Sequence, residues 1–193
     1  HEHELQFHIK CKAGDVGRYC FLPVIPPLEK IAAYFDNPVK VQSNREYTTY
    51  TGTLLGEKVS VCSTGIGGPS AVIAMEELHN IGADTFIRVG TCGGIALPVK
   101  SDDVVIATGA VRHEGASGVR PIEFPAVSDY EVQSCLVQAA KTWASLGTPA
   151  WCSARIPSMD KPRPQADASE PGGCPSTSGR RWKRLGVLAS EME

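Results

Sequence analysis

Residues 58–89 read K-V-S-V-C-S-T-G-I-G-G-P-S-A-V-I-A-M-E-E-L-H-N-I-G-A-D-T-F-I-R-V. Residues 58–63 are a short β-rich run and read as a strand. The glycine-rich run 64–69 is a tight turn. Residues 70–80 carry helical spacing, with Ser70 near the start and Gly82 just past the end. Residues 85–89 are a second apolar strand, stopped by Gly90. Strand, crossover helix and strand in this order imply parallel strands covered by helices. In such sheets ligands sit outside the carboxyl ends of the strands. That rule directs attention to residues 63–68 and 88–94.

Outward from this unit the alternation continues. Residues 103–108 (D-V-V-I-A-T) read as a third strand. Residues 130–145 have helical spacing, with Val132, Cys135, Leu136, Ala139, Ala140 and Trp143 on one face. From about residue 147 to 181 the chain is rich in Pro, Ser, Gly and Arg and shows neither period, so composition reads it as a linker or irregular loop. Order resumes at 182–193. The opening residues 1–8 are polar and do not resemble a signal peptide.

The bulk numbers agree with one α/β domain over residues 1–193, with 147–181 off pattern. The chain has 193 residues, 42% hydrophobic content and a net charge of −2. That balance excludes a global basic field for nucleic acid or an anionic membrane, so an anionic substrate needs local arginines. No apolar run is long enough to span a bilayer. The seven cysteines, at 11, 20, 62, 92, 135, 152 and 174, form no C-x-x-C pair. They read as reduced thiols of a cytoplasmic protein.

Arg88-Val89-Gly90-Thr91-Cys92-Gly93-Gly94 is the most informative stretch. A charged side chain inside an apolar strand is costly unless it is paired. At the strand's end the guanidinium can offer a planar fork to phosphate, while the glycines let backbone N–H groups approach an anion and Thr91 adds a hydroxyl. The same residues also suit a salt bridge above a tight turn. The run 63–70 lacks the Gly-Lys-Ser/Thr of a Walker loop and the spacing of a dinucleotide fingerprint. It reads first as a strand-to-helix turn. Asn44-Arg45-Glu46-Tyr47 precedes a β-rich run and reads as a surface pair. Asp102-Asp103 reads as the start of a strand or turn.

Together these stretches resemble the uridine phosphorylase branch of the nucleoside phosphorylase family. The matching segments are F-H-I-K-C-K-A-G-D-V-G, R-E-Y-T-T-Y-T-G, S-T-G-I-G-G-P-S-A-V-I-A-M-E-E-L, D-T-F-I-R-V-G-T-C-G-G, P-I-E-F-P-A-V-S-D-Y-E and the tail L-A-S-E-M-E. The resemblance implies a three-layer α/β/α fold on a mixed, mostly parallel sheet, incomplete at the C-terminus. It implies phosphorolysis of uridine, and of deoxyuridine, to uracil and the sugar 1-phosphate in pyrimidine salvage. Arg88 and Thr91 match catalytic phosphate ligands, and Arg45 a phosphate arginine reaching the neighbouring subunit. His8, Met192 and Glu193 match ribose contacts, His8 crossing the same interface to the 5′-hydroxyl, and Cys92 and Gly93 part of the base pocket. Glu46, Ile66 and Ser70 match a monovalent-cation site, K+ in some members, between subunits. The resemblance further implies a homodimer, commonly assembled into a hexamer. Inorganic phosphate is then the co-substrate, with no organic cofactor, nucleic acid or membrane partner. A purine nucleoside phosphorylase or nucleosidase of the same fold, and an inactive fragment, are the alternatives.

Two segments depart from the family pattern. Residues 23–30, P-V-I-P-P-L-E-K, stand where the family has Pro-Gly-Asp-Pro, then an Arg, then Glu-Lys. A phosphate-loop glycine and arginine are missing, and Val24 does not permit the close backbone approach that glycine does. Residues 147–181 replace the loop that reads the pyrimidine. Both read as shifts of reading frame: GGT GAT CCC less one base is GTG ATC CC, which spells the Val-Ile-Pro of residues 24–26. Residues 151–159 admit codons whose shifted frame contains the family's Lys-Asp-Ser-Phe-Tyr. Resequencing the gene tests this.

Overall fold

A computed structural model describes residues 5–24, 28–112, 115–121, 123–145, 182 and 184–191. These fall into two compact units. One is built from the chain up to Thr91 together with a 3-10 turn at Ala116–Val119, the other from Cys92 to Arg112 and from Arg120 onward.

The first unit is organised by a five-stranded sheet. Its strands are β1 (Tyr19–Pro23), β2 (Asp36–Asn44), β3 (Tyr47–Leu54), β4 (Glu57–Cys62) and β5 (Thr85–Val89), in the spatial order β2-β3-β4-β1-β5. β1 runs parallel to both of its neighbours, with Cys20 opposite Ser60 on one side and Phe86 on the other. The β2–β3 and β3–β4 ladders are antiparallel. The expected mixed sheet is therefore present, parallel at the β4-β1-β5 end and antiparallel at the other.

Side-chain alternation along these strands sends apolar groups to both faces. Cys20, Leu22, Cys62 and Tyr47 join Ala74 and Leu78 in one core, with Ile9 and Cys11 from the N-terminal segment. Ala74 and Leu78 belong to helix α2 (Gly68–Asn80). Val59 and Val61 face the opposite way, into a second core with Leu28, Ala32 and Phe35, against which Tyr19 and Phe21 pack. Leu28 and Ala32 belong to the short helix α1 (Leu28–Ala32). One helix on each face of the sheet gives the three layers expected of this unit.

At its entry β1 lies unusually close to β4. A Cβ on Gly17 would sit 2.1 Å from the carbonyl oxygen of Lys58. The Gly17 N–H donates to Ser60 Oγ at 2.9 Å, and Ser60 Oγ lies 2.7 Å from Thr51 Oγ1, so the buried hydroxyls of β3 and β4 are tied to the start of β1.

In the second unit β6 (Gly93–Gly94) pairs antiparallel with β7 (Ala189–Ser190). Residues 103–108 do not form the expected ladder strand. Ile106 and Thr108 are buried, but the pairing is by isolated bridges, at Val104 and just past the run, where Gly109 bridges Val127 and the Ala110 N–H donates to Ala126 O at 2.8 Å. Helix α3 (Tyr130–Ser145) is present as expected, capped by Asp129, whose Oδ1 accepts from the Val132 N–H at 2.9 Å. Its more covered residues are Val132, Gln133, Leu136, Val137 and Ala140, while Cys135, Ala139 and Trp143 are exposed, so the covered stripe is rotated from the expected one. The off-pattern residues 147–181 lie outside the described residues.

Candidate functional site

β5 carries Arg88 because its preceding residues, Thr85 to Ile87, pair along β1 and bring residue 88 opposite Leu22 near the carboxyl end of the parallel trio. The Arg88 side chain is half-buried and folds over that end. Its Nη1 donates to the carbonyl oxygen of Leu22 at 3.1 Å and to that of Val89 at 2.6 Å. Gly90 makes this possible. A Cβ there would lie 2.6 Å from Arg88 Nη1 and 2.9 Å from Nη2, so the guanidinium occupies the space a larger residue would fill. Thr91 follows, exposed. A planar, permanently charged donor anchored by backbone at a strand terminus is suited to holding a tetrahedral oxyanion.

The glycine-rich run 63–68 joins β4 to α2 as a turn. Gly65 and Gly67 have φ of 70° and 103°, the left-handed region that favours glycine. Two of its amides are committed to the end of β1 and the residue after it: the Thr64 N–H donates to Pro23 O at 2.9 Å and the Gly65 N–H to Val24 O at 2.8 Å. Val24, one of the departures noted above, is thus carried beside this turn by its own carbonyl. Residues 25–27 lie outside the described residues.

The β2–β3 turn approaches the same end of the sheet. Ser63 Oγ donates to Glu46 O and accepts from the Thr48 N–H, and the Ser63 N–H donates to Thr48 O. Arg45 and Glu46 are exposed, and Arg45 holds φ at 54°, a conformation that costs a non-glycine residue about 1 kcal/mol or more. A Cβ on Gly65 would meet Glu46 Cγ at 2.9 Å and Ser70 Oγ at 3.6 Å. Ser70 Oγ donates to Ile66 O at 3.1 Å. The structure therefore brings Glu46, Ile66 and Ser70 around one glycine. Their donors are a carboxylate, a carbonyl and a hydroxyl, all hard oxygens, a set that fits an alkali cation and not a soft metal. Among the described residues no group of three His, Cys, Asp or Glu side chains is arranged to hold a metal ion. Asp102 and Asp103 stand in a turn, where Asp103 Oδ2 accepts from the Lys100 N–H at 2.8 Å.

His8 is held by a residue that the sequence did not single out. Glu77, on α2, accepts from the His8 N–H at 3.0 Å and the Ile9 N–H at 2.8 Å, and its Oε1 lies 2.6 Å from His8 Nδ1. Burial alone would raise the Glu77 carboxyl. The Ile9 and His8 donors together outweigh it and hold the group below its ordinary value of 4.5. Asn44 Nδ2 donates to His8 O at 2.7 Å, linking the N-terminal segment to the turn that carries Arg45. Phe7 meets the His8 ring edge-on at 4.9 Å between centroids. Glu77 lies 69 residues from His8 and looks like one more acidic residue of an amphipathic helix, so no local pattern exposes the pair.

In the second unit Cys92 and Gly93 are exposed, with Gly93 opposite Ser190 in the two-stranded ladder. Met192 and Glu193 lie outside the described residues.

Comparison with known proteins places these observations. The profile of the phosphorylase superfamily matches residues 18–193. A uridine phosphorylase of Treponema pallidum is 54% identical over 140 residues, covering 72% of this chain and 54% of that protein. The uridine phosphorylase of Escherichia coli K12 is 40% identical over 195 residues, covering 97% of this chain and 76% of that protein. The crystal structure of uridine phosphorylase from Vibrio fischeri ES114 superposes with a TM-score of 0.77 at 27% identity, over 97% of this chain and 74% of that one. The chain thus spans between about half and three quarters of the length of the proteins it matches.

Proposed function

This chain belongs to the phosphorylase superfamily, and from that membership we propose that it acts in phosphorolysis of uridine and deoxyuridine, yielding uracil and the sugar 1-phosphate for pyrimidine salvage. The observation that carries the reading is the Arg88 guanidinium, anchored on the Leu22 carbonyl at the carboxyl end of β5 beside Gly90 and Thr91. Arg88 and Thr91 hold inorganic phosphate, the co-substrate, and Arg45 adds charge to the phosphate of the neighbouring subunit. A phosphate oxygen attacks C1′ of the sugar as the glycosidic bond to the base breaks, and the bonding pair leaves with uracil. The sugar gains positive charge on the way, so a fixed dianion beneath it is both nucleophile and counter-charge. His8, with Met192 and Glu193, binds the ribose, and Cys92 and Gly93 border the base. No organic cofactor enters these steps.

The assembly we propose is a homodimer or a hexamer of dimers. Exposed Phe7, Ile66, Val72 and Met75 in the first unit supply apolar surface for it. Glu46, Ile66 and Ser70 would hold K+, which would neutralise the Glu46 carboxylate at that surface. A cytoplasmic location suits the five described cysteines, all of them free thiols. Among the described residues no helix is long and apolar enough to cross a membrane.

The test is release of uracil from uridine with and without phosphate, with deoxyuridine, inosine and adenosine beside it. Slow release that requires phosphate and favours uridine is expected, because Val24 replaces a phosphate-loop glycine. Preference for inosine would move the reading to a purine phosphorylase, and equal release without phosphate to a nucleosidase. No release at any enzyme concentration would favour the inactive fragment.

A further inference from the structure

Every polar group of His8 except one is already spoken for within this chain. Its N–H and its Nδ1 both meet Glu77, and its carbonyl accepts from Asn44. The ring is stacked edge-on by Phe7 and lies 6.4 Å from that of Tyr47. Only Nε2 remains. The histidine side chain is about a third exposed and that of Glu77 far less, at 32% and 13%.

From this geometry we infer that Glu77 is a positioning residue: it fixes the His8 imidazole with the proton on Nδ1 and presents Nε2 to a sugar hydroxyl. The inference rests on the ribose role proposed above for His8 and extends it to a residue on a different element. The chemistry of the contact sets the tautomer. An ionised carboxylate can only accept, so at 2.6 Å the ring nitrogen facing it must donate. In the neutral ring the other nitrogen then carries a lone pair and accepts the hydroxyl proton. The same carboxylate receives the His8 and Ile9 N–H groups, so the ring and the backbone beneath it are oriented by one anchor. The anchor sits on α2, whose Ala74 and Leu78 are fully buried, so it is fixed to the core of the unit. A partly exposed histidine without such an anchor would lose several rotamers on binding, and prior fixation removes that cost.

The experiment uses the full chain labelled with 15N at histidine, the His8 signals being identified by their loss in His8→Gln. The expected wild-type spectrum shows His8 with Nδ1 protonated and Nε2 not. Glu77→Gln should shift the ring toward the commoner Nε2–H form and weaken uridine binding about tenfold, the worth of one lost hydrogen bond. Binding of 5′-deoxyuridine, which lacks the hydroxyl, should stay within about twofold. In the His8→Gln background Glu77→Gln should add nothing to that discrimination. An Nε2–H ring in the wild type, or a tautomer indifferent to Glu77→Gln, overturns the inference. If the wild type binds the two nucleosides equally, His8 does not read the hydroxyl and Glu77 does not serve the reaction, even with the tautomer as expected. Phosphate-dependent uracil release from uridine, measured beside these, reports on the proposed function separately. Should Glu77→Gln fail to fold, Glu77→Asp shortens the arm by one methylene and should release the ring.

Discussion

At the scale of single residues the phosphate site proposed for this chain turns on Arg88 and on the hydrogen atom that stands for a side chain at Gly90. Arg88→Ala should raise the dissociation constant for inorganic phosphate by roughly 10- to 100-fold, the 1.5–3 kcal/mol of a charge-assisted hydrogen bond, read by calorimetric titration. Arg88→Lys should recover little of it, since an ammonium cannot reach both the backbone carbonyls and the anion in one plane. Gly90→Ala is the more discriminating change. The added methyl would meet the tip of a flexible side chain at 2.6 Å, not backbone, so the fold should yield cheaply. Its unfolding free energy should fall by about 1 kcal/mol at most, while phosphate binding drops nearly as far as in Arg88→Ala. Equal binding in Gly90→Ala and the wild type would show that the guanidinium need not stand where it does.

At the scale of elements the critical contact is the entry of β1. Gly17→Ala would drive a methyl to 2.1 Å from a backbone carbonyl of β4, where nothing can swing aside. It should cost about 3 kcal/mol or more, seen as a lower denaturation midpoint at unchanged slope. The elements also divide by how plainly they could be read beforehand. β4, α2 and β5 were legible to within a residue or two because each is a short run with a clear β-rich or helical pattern set off by glycines. β2 was not, because it is an edge strand whose residues are mostly exposed and whose pairing is set by β3. The 103–108 run looked like a strand from its β-branched residues alone, yet its backbone makes isolated bridges, at Val104 and beside the run at Gly109, and no continuous ladder. Within the site, Arg88 announced itself as a charge in an apolar strand, and the turn glycines by their density. Glu77 did not, since a carboxylate on a helix gives no sign of the backbone it will anchor.

At the scale of the whole molecule the interior holds three thiols in one core, Cys11, Cys20 and Cys62. Burial is the main cause that pushes Cys11 up to about 11 and Cys62 to about 12 from an ordinary 9.0, and it raises Cys20 as well. In the unfolded chain they ionise near 9, so the stability they contribute is whole below that pH and is lost as pH climbs toward 12. Each should tilt the stability curve by about 1.4 kcal/mol per pH unit in this window. Denaturant midpoints at pH 8, 9 and 10 check it: a flat profile above 9 would contradict it. Of the five described thiols, exposed Cys92 and Cys135 should be alkylated first over the same range. The strand order has a consequence for synthesis. β1 precedes both of its parallel neighbours in the chain, so the edge that receives β5 stays open until residue 89 has been added. At about 5–20 residues per second, that is a wait of several seconds for a nascent segment reading Y-C-F-L-P, in which a chaperone would find its natural binding site.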